Sequence, residues 1–364
     1  MSDRSAATPP APTREILHQL ATIPRPPTYY SGTVTLNRYL MFFVSTLGLL
    51  SPALAGTPTT QRAPAANGWN ASAFDYARSD DLVVERTTPN AAQVNFKTRP
   101  PQKAEEPSAL DTTAGAKALT VGPVDVTRLR FRGAENEIVT ALLCTPAGKT
   151  GPFPLVIAVH GLGSNKAQIV GQVAPALAKQ GFAVLAPDMP LHGERPGRAH
   201  ALWEKQDIVG AIRRHRQAVI NVRQTIDVAE QLPEVDVKRG VILAGYSMGA
   251  WIHSIAGPSD PRVQAMVLMV GGATELAHTR LIPALAAADP QLALANFAPR
   301  PLLMLNAKRD PTVTPEMGKR LFAAAVEPKE QRWYESGHLL PEKAYDDAAR
   351  WIAAAWTKLV ASGQ

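Results

Sequence analysis

The chain has 364 residues, 45% of them hydrophobic, enough for one large α/β domain or two smaller ones with a sizeable core, and this excludes an intrinsically disordered protein. Thirty-eight Lys and Arg against thirty-one Asp and Glu give a formal charge of +7, but the basic residues are scattered and no helix-turn-helix, zinc-finger or RNA-binding signature accompanies them, so no nucleic-acid partner is expected. Cys144 is the single cysteine, which rules out an intrachain disulfide, and no Cys/His cluster has zinc-site spacing, so no metal is expected.

Residues 1–55 read as a leader. Arg38 precedes the apolar run Tyr39 to Leu50, which Pro52 and Ala53-Leu54-Ala55 close in the manner of a signal segment with a small-residue cleavage site. The run is short of the roughly twenty apolar residues that cross a bilayer. Cleavage after Ala55 would give a periplasmic or secreted protein; an uncleaved leader would leave it membrane-anchored or cytoplasmic. Residues 1–37 make a long preamble, which a translation start near Val34 or Met41 would shorten. Residues 56–68 are rich in Pro, Ala and Thr and read as a flexible tether, followed by a partly irregular lead-in over 69–120. Within it Trp69, Phe74-Asp75-Tyr76 and Leu82-Val83-Val84 mark the first order, while 87–120, with Pro100-Pro101 and Pro107, is loop-like.

From residue 121 to 364 the pattern is regular. Val124 to Phe131 and Ile138 to Thr145, separated by a turn at Gly133, predict a β-hairpin. Leu155 to Val159, Ala183 to Ala186, Val241 to Ala244, Ala265 to Val270 and Leu302 to Leu305 are short unbroken apolar runs, as expected of parallel strands covered on both faces, with Arg332 to Tyr334 as a last strand. Helical spacing recurs between and after them, at Val170 to Lys179, Ile212 to Gln231 and Tyr345 to Val360. The class is therefore α/β, a mostly parallel central sheet of about eight strands with helices on both faces and an antiparallel hairpin at its start. The segment 273–297, rich in Ala and Leu, has the length of a small cap with an apolar underside.

Gly245-Tyr246-Ser247-Met248-Gly249 follows the strand Val241 to Ala244, where a nucleophile turn must lift a serine above the sheet and leaves room only for small residues two positions to either side. A serine hydroxyl needs an imidazole to take its proton and a carboxylate to orient that imidazole. Asp310 follows the strand Leu302 to Leu305 and His338 follows Arg332 to Tyr334, so each falls on a loop at the carboxyl edge where open α/β sheets build their sites. The order Ser, Asp, His is that of the α/β-hydrolases. His160-Gly161-Leu162-Gly163 follows Leu155 to Val159, which assigns the oxyanion donors to the backbone NH groups of Leu162 and Met248, with His160 as a brace. His192 and Trp251 are possible pocket contacts. Asp188 and Arg195 are expected to satisfy their loop through internal hydrogen bonds.

On these residues, together with Ser164-Asn165-Lys166, Asp188 to Arg195, Ala298 to Leu303 and Gly337-His338, the chain resembles the α/β-hydrolase superfamily and, within it, the dienelactone-hydrolase-like and acetyl-xylan-esterase-like bacterial serine esterases. Phe74-Asp75-Tyr76 resembles the lead-in of such esterases. The nucleophile here is serine, where dienelactone hydrolases proper carry cysteine; Ala250 and Asn306-Ala307 stand where relatives often have glycine. The expectation is a serine carboxylic-ester hydrolase working through an acyl-enzyme on a small-molecule ester, without a cofactor. A serine peptidase, thioesterase or acyltransferase on the same fold is the alternative, and a non-catalytic binding protein a further one. Which ester it takes and its oligomeric state are not written in the sequence.

Overall fold

The computed structural model describes residues 67–78, 82–95, 110, 116–133, 136–203, 207–273 and 286–362. The expected leader, nearly all of the expected tether and residues 274–285 of the expected cap lie outside the described residues.

Among the described residues eleven strands join one sheet. Eight form its body: β3 (Val124–Arg132), β4 (Ile138–Pro146), β5 (Phe153–Val159), β6 (Ala183–Pro187), β8 (Val241–Tyr246), β9 (Val263–Met269), β10 (Leu302–Ala307) and β11 (Lys329–Tyr334). Three short strands add to it: β1 (Val84–Thr87) and β2 (Leu119–Val121) both pair with β3, and β7 (Val235–Asp236) pairs with β5. The strand β2 falls within the stretch expected to be loop-like; three residues closed by a turn at Gly122 are too short to leave a periodic signal. Along the sheet the order is β1-β3-β4-β6-β5-β8-β9-β10-β11. The hairpin β3-β4 and the β4-β6 pairing are antiparallel, and from β6 to β11 every neighbouring pair is parallel.

Side chains alternate between the two faces, as the strand period of two requires. In β5, Leu155, Ile157 and Val159 join one core cluster while Val156 and Ala158 join the other; in β8, Val241 and Leu243 face the first, Ile242, Ala244 and Tyr246 the second. The second cluster is closed by α1 (Lys166–Lys179) and α6 (Glu342–Ala361). The first is closed by α2 (Ile208–Ala229), α3 (Met248–Ser259), the short α4 (Pro290–Leu294) and Leu321 of α5 (Pro315–Ala324). Burial on both faces is why the strands read as continuous apolar runs.

Two segments outside the sheet are held by specific bonds. The lead-in lies on α2: Arg216 donates to the carbonyls of Ala73 and Asp75, Arg223 donates to that of Phe74, and the Tyr76 hydroxyl donates to Asp227 at 2.5 Å. Trp69 is buried, and its indole NH donates to the Ala287 carbonyl at 3.0 Å. In the described half of the expected cap, Ala287, Ala293, Leu294 and Phe297 belong to the first core cluster with α3, so its apolar content serves the core.

Candidate active site

The loops after β5, β8, β10 and β11 leave the same edge of the sheet, because these strands run parallel and lie within a few positions of one another. Ser247 sits between β8 and α3 with φ 53° and ψ −107°, a left-handed conformation that a non-glycine residue adopts only under strain. The flanking glycines are there for close approach. A Cβ on Gly245 would lie 2.4 Å from the Gly249 carbonyl oxygen, and one on Gly249 would lie 2.1 Å from that of Val159. The turn is pinned further by the Ser247 NH, which donates to Met269 at 2.9 Å.

His338 bridges the other two expected residues. Its Nε2 lies 3.1 Å from Ser247 Oγ and its Nδ1 lies 2.7 Å from Asp310 Oδ2. Asp310 is buried, and its second oxygen accepts the backbone NH groups of Thr312 and Val313 at 2.8 and 2.9 Å, which fixes the carboxylate plane. Ser247 and His338 are partly exposed, so the hydroxyl–imidazole side is open to solvent and the Asp310 carboxylate is not.

The loop His160–Gly163 abuts the serine: a Cβ on Gly161 would lie 3.5 Å from Ser247 Cβ. Met248 opens α3, so its NH is one of the first-turn donors that have no acceptor within the helix. Two buried histidines brace this loop. His160 Nδ1 donates to the Gly161 carbonyl at 2.9 Å while Nε2 accepts the Met189 NH at 3.1 Å. His192 Nδ1 donates to Pro190 at 2.8 Å and Nε2 accepts the Gly163 NH at 3.0 Å. Each ring is thereby set in one neutral tautomer, and burial keeps the His160 imidazole below its ordinary pKa. His192, expected as a pocket contact, is 1% exposed and engaged with loop backbone, since the short turn after β6 folds it under Gly163. Trp251, on the next turn of α3, is half-buried with its ring 5.0 Å from that of His215 on α2.

Beneath the loop lies an ion cluster the motifs do not announce. Lys166, at the start of α1, donates to Asp188 Oδ2 at 2.5 Å and to Glu194 Oε1 at 2.7 Å, and its backbone NH donates to Asp188 Oδ1 at 2.8 Å. Thr140 donates to Asp188 at 2.8 Å, and Arg128 pairs with Glu194. Burial alone would raise the Asp188 carboxyl, but the Lys166 charge and these hydrogen bonds outweigh it and hold it at about 2. Asp188 and Arg195 do satisfy the loop internally, as expected, with Arg195 donating to the Asp188 carbonyl at 3.1 Å and to Asn221 at 2.8 Å. Asn306 is buried and ties β10 to the Gly271 carbonyl at 2.8 Å and to Gln331 at 3.0 Å. Among the described residues no three His, Cys, Asp or Glu side chains gather in a metal-binding group.

Sequence reasoning overlooks Tyr246. Its hydroxyl donates to the His338 carbonyl at 2.6 Å and accepts the Leu340 NH at 3.1 Å. The motif demands glycine and serine at fixed places and is silent on the residue between them.

Comparison with known proteins follows the same lines. Among solved structures the fold is similar to an acetyl xylan esterase from Paenibacillus sp. R4, at 17% identity over 65% of this chain and 85% of that one with a TM-score of 0.51. It is similar to acetyl xylan esterase 1 from Thermoanaerobacterium sp. JW/SL YS485, at 17% identity over 65% and 86% with a TM-score of 0.51. A cold-adapted esterase from an Arctic intertidal metagenomic library, in complex with PEG, shares 19% identity over 66% and 98% with a TM-score of 0.52. No curated protein sequence matches the chain. The model of the dienelactone hydrolase family matches residues 139–356, from the second strand of the hairpin to the last helix, and the chain belongs to that family of α/β-hydrolases.

Proposed function

We propose that the protein is a serine carboxylic-ester hydrolase. The observation that carries this reading is the bridging imidazole, with Nε2 3.1 Å from Ser247 Oγ and Nδ1 2.7 Å from the buried Asp310. Ser247 Oγ attacks the ester carbonyl carbon and its proton passes to His338 Nε2, while Asp310 accepts the Nδ1 proton in a hydrogen bond and favours the imidazolium. The Leu162 and Met248 NH groups hold the oxyanion. The tetrahedral intermediate collapses, the alcohol leaves with the proton from Nε2, and an acyl-serine remains. A water then gives its proton to His338 and attacks the acyl carbon; breaking the bond to Oγ returns the proton to Ser247 and releases the acid.

Two of the structural neighbours are acetyl xylan esterases and a third is an esterase, which makes short acyl esters the first substrates to assay. Turnover of p-nitrophenyl acetate is expected to vanish in Ser247→Ala, and a fluorophosphonate probe is expected to label Ser247 in the native chain alone. A Ser247→Ala variant with undiminished turnover refutes the mechanism.

A further inference from the structure

Ser247 and His338 come from loops 91 positions apart, and a proton passes between them only if the two loops keep a fixed spacing. The loop that carries His338 is exposed at its tip, where Leu339 is 73% exposed. Its leading side is anchored to the Asp310 loop through the Arg309 NH, which donates to Ser336 at 3.0 Å. Its trailing side is anchored to the nucleophile strand through one hydroxyl, that of Tyr246.

We propose that Tyr246 is a positioning residue for the reaction, its hydroxyl setting the reach of His338 toward Ser247. The inference rests on the serine-hydrolase reading above. Tyr246 is the last residue of β8 and immediately precedes the nucleophile, so its backbone moves with Ser247. Its side chain lies on the sheet face covered by α1 and α6, under the histidine loop. There the hydroxyl donates its one proton to the His338 carbonyl at 2.6 Å and accepts the Leu340 NH at 3.1 Å. Tyr345, in the first turn of α6, is buried in the same core cluster. The Tyr246 proton and one lone pair of its oxygen are both engaged with the histidine loop. The Tyr246 ring meets the imidazole edge-on, with centroids 6.0 Å apart and planes at 80°. A single side chain thus grips the base residue's own carbonyl and the NH two residues on, from a position bonded to the nucleophile. Removing the hydroxyl leaves the buried Leu340 NH without its acceptor, and the loop relaxes to recover one.

The test compares Tyr246→Phe, His338→Ala and the double variant on p-nitrophenyl acetate. Tyr246→Phe is expected to lower kcat about 10- to 100-fold with KM within twofold of the parent, the size of effect a small misplacement of a catalytic group produces. In the His338→Ala background the same change is expected to cost less than about twofold, because the group it positions is gone. A wild-type kcat in Tyr246→Phe overturns the inference, as does an equal loss with and without His338, which marks a merely structural tyrosine. If Tyr246→Phe does not fold, Tyr246→His keeps a ring with a hydrogen-bonding group that falls short of the phenol's reach and is expected to lower kcat at least about tenfold with KM kept; an unchanged kcat there overturns it. A fully active Ser247→Ala sinks the reading beneath the inference, whereas an inactive Ser247→Ala beside a wild-type Tyr246→Phe sinks the inference alone.

Discussion

His253 lies on α3 six residues after the nucleophile, is 0% exposed, and has no hydrogen-bond partner for either ring nitrogen among the described residues. Burial lowers its pKa from 6.5 to about 3. Below pH 6.5 the unfolded chain therefore binds a proton at this residue that the folded chain refuses, and stability falls as pH falls until the folded pKa is reached. Between pH 7 and pH 5 the two values give a loss of about 2 kcal/mol from this one residue. His215 on α2, held at about 4 by burial, adds a loss of the same sign and nearly the same size. The perturbation is His253→Leu, which fills a similar volume and cannot titrate. Urea unfolding at pH 7, 6 and 5 is expected to show the variant losing about 2 kcal/mol less than the parent across that range. Parallel stability curves for the two proteins would refute the reasoning, since they would mean that the folded chain accommodates the imidazolium.

Asp310→Asn keeps the shape of the side chain but forfeits the charge that favours imidazolium formation and disturbs the tautomer of His338; kcat for p-nitrophenyl acetate is expected to fall on the order of 10⁴-fold with KM little changed. Gly249→Ala puts a carbon 2.1 Å from the Val159 carbonyl oxygen, and thermal unfolding is expected to show a loss of about 1–3 kcal/mol, together with a drop in fluorophosphonate labelling as the turn shifts. Lys166→Met removes the cation bonded to Asp188 and Glu194 and is expected to cost about 3–5 kcal/mol in urea unfolding, with reduced kcat because the loop above it carries Leu162.

That Ser247, His338 and Asp310 lie together is legible in the sequence because three separate constraints coincide. Ser247 lies between close-packed glycines, Asp310 follows an apolar run, and His338 follows a short strand, in the order Ser, Asp, His. The parallel strands are legible for a related reason: Leu155 to Val159 and Val241 to Ala244 are apolar at every position because both faces are covered. What escapes the sequence is contact between side chains distant in the chain. Nothing near Lys166 announces that Asp188 and Glu194 lie against it, and a tyrosine hydroxyl that reaches a carbonyl 92 residues away leaves no periodic trace. His192 misleads for the same reason, because a histidine on a site loop reads alike whether it faces a ligand or the backbone.

On the proposed serine-hydrolase mechanism, the strained backbone at Ser247 sets function against folding at one position. A φ of 53° burdens a serine by on the order of 1–3 kcal/mol and a glycine hardly at all. The same substitution that removes the hydroxyl also relieves the turn. A library of this protein sorted by melting temperature alone would thus enrich glycine at 247 and drift toward a sturdier, inert scaffold, and only a screen that demands turnover keeps the chain in its less comfortable conformation.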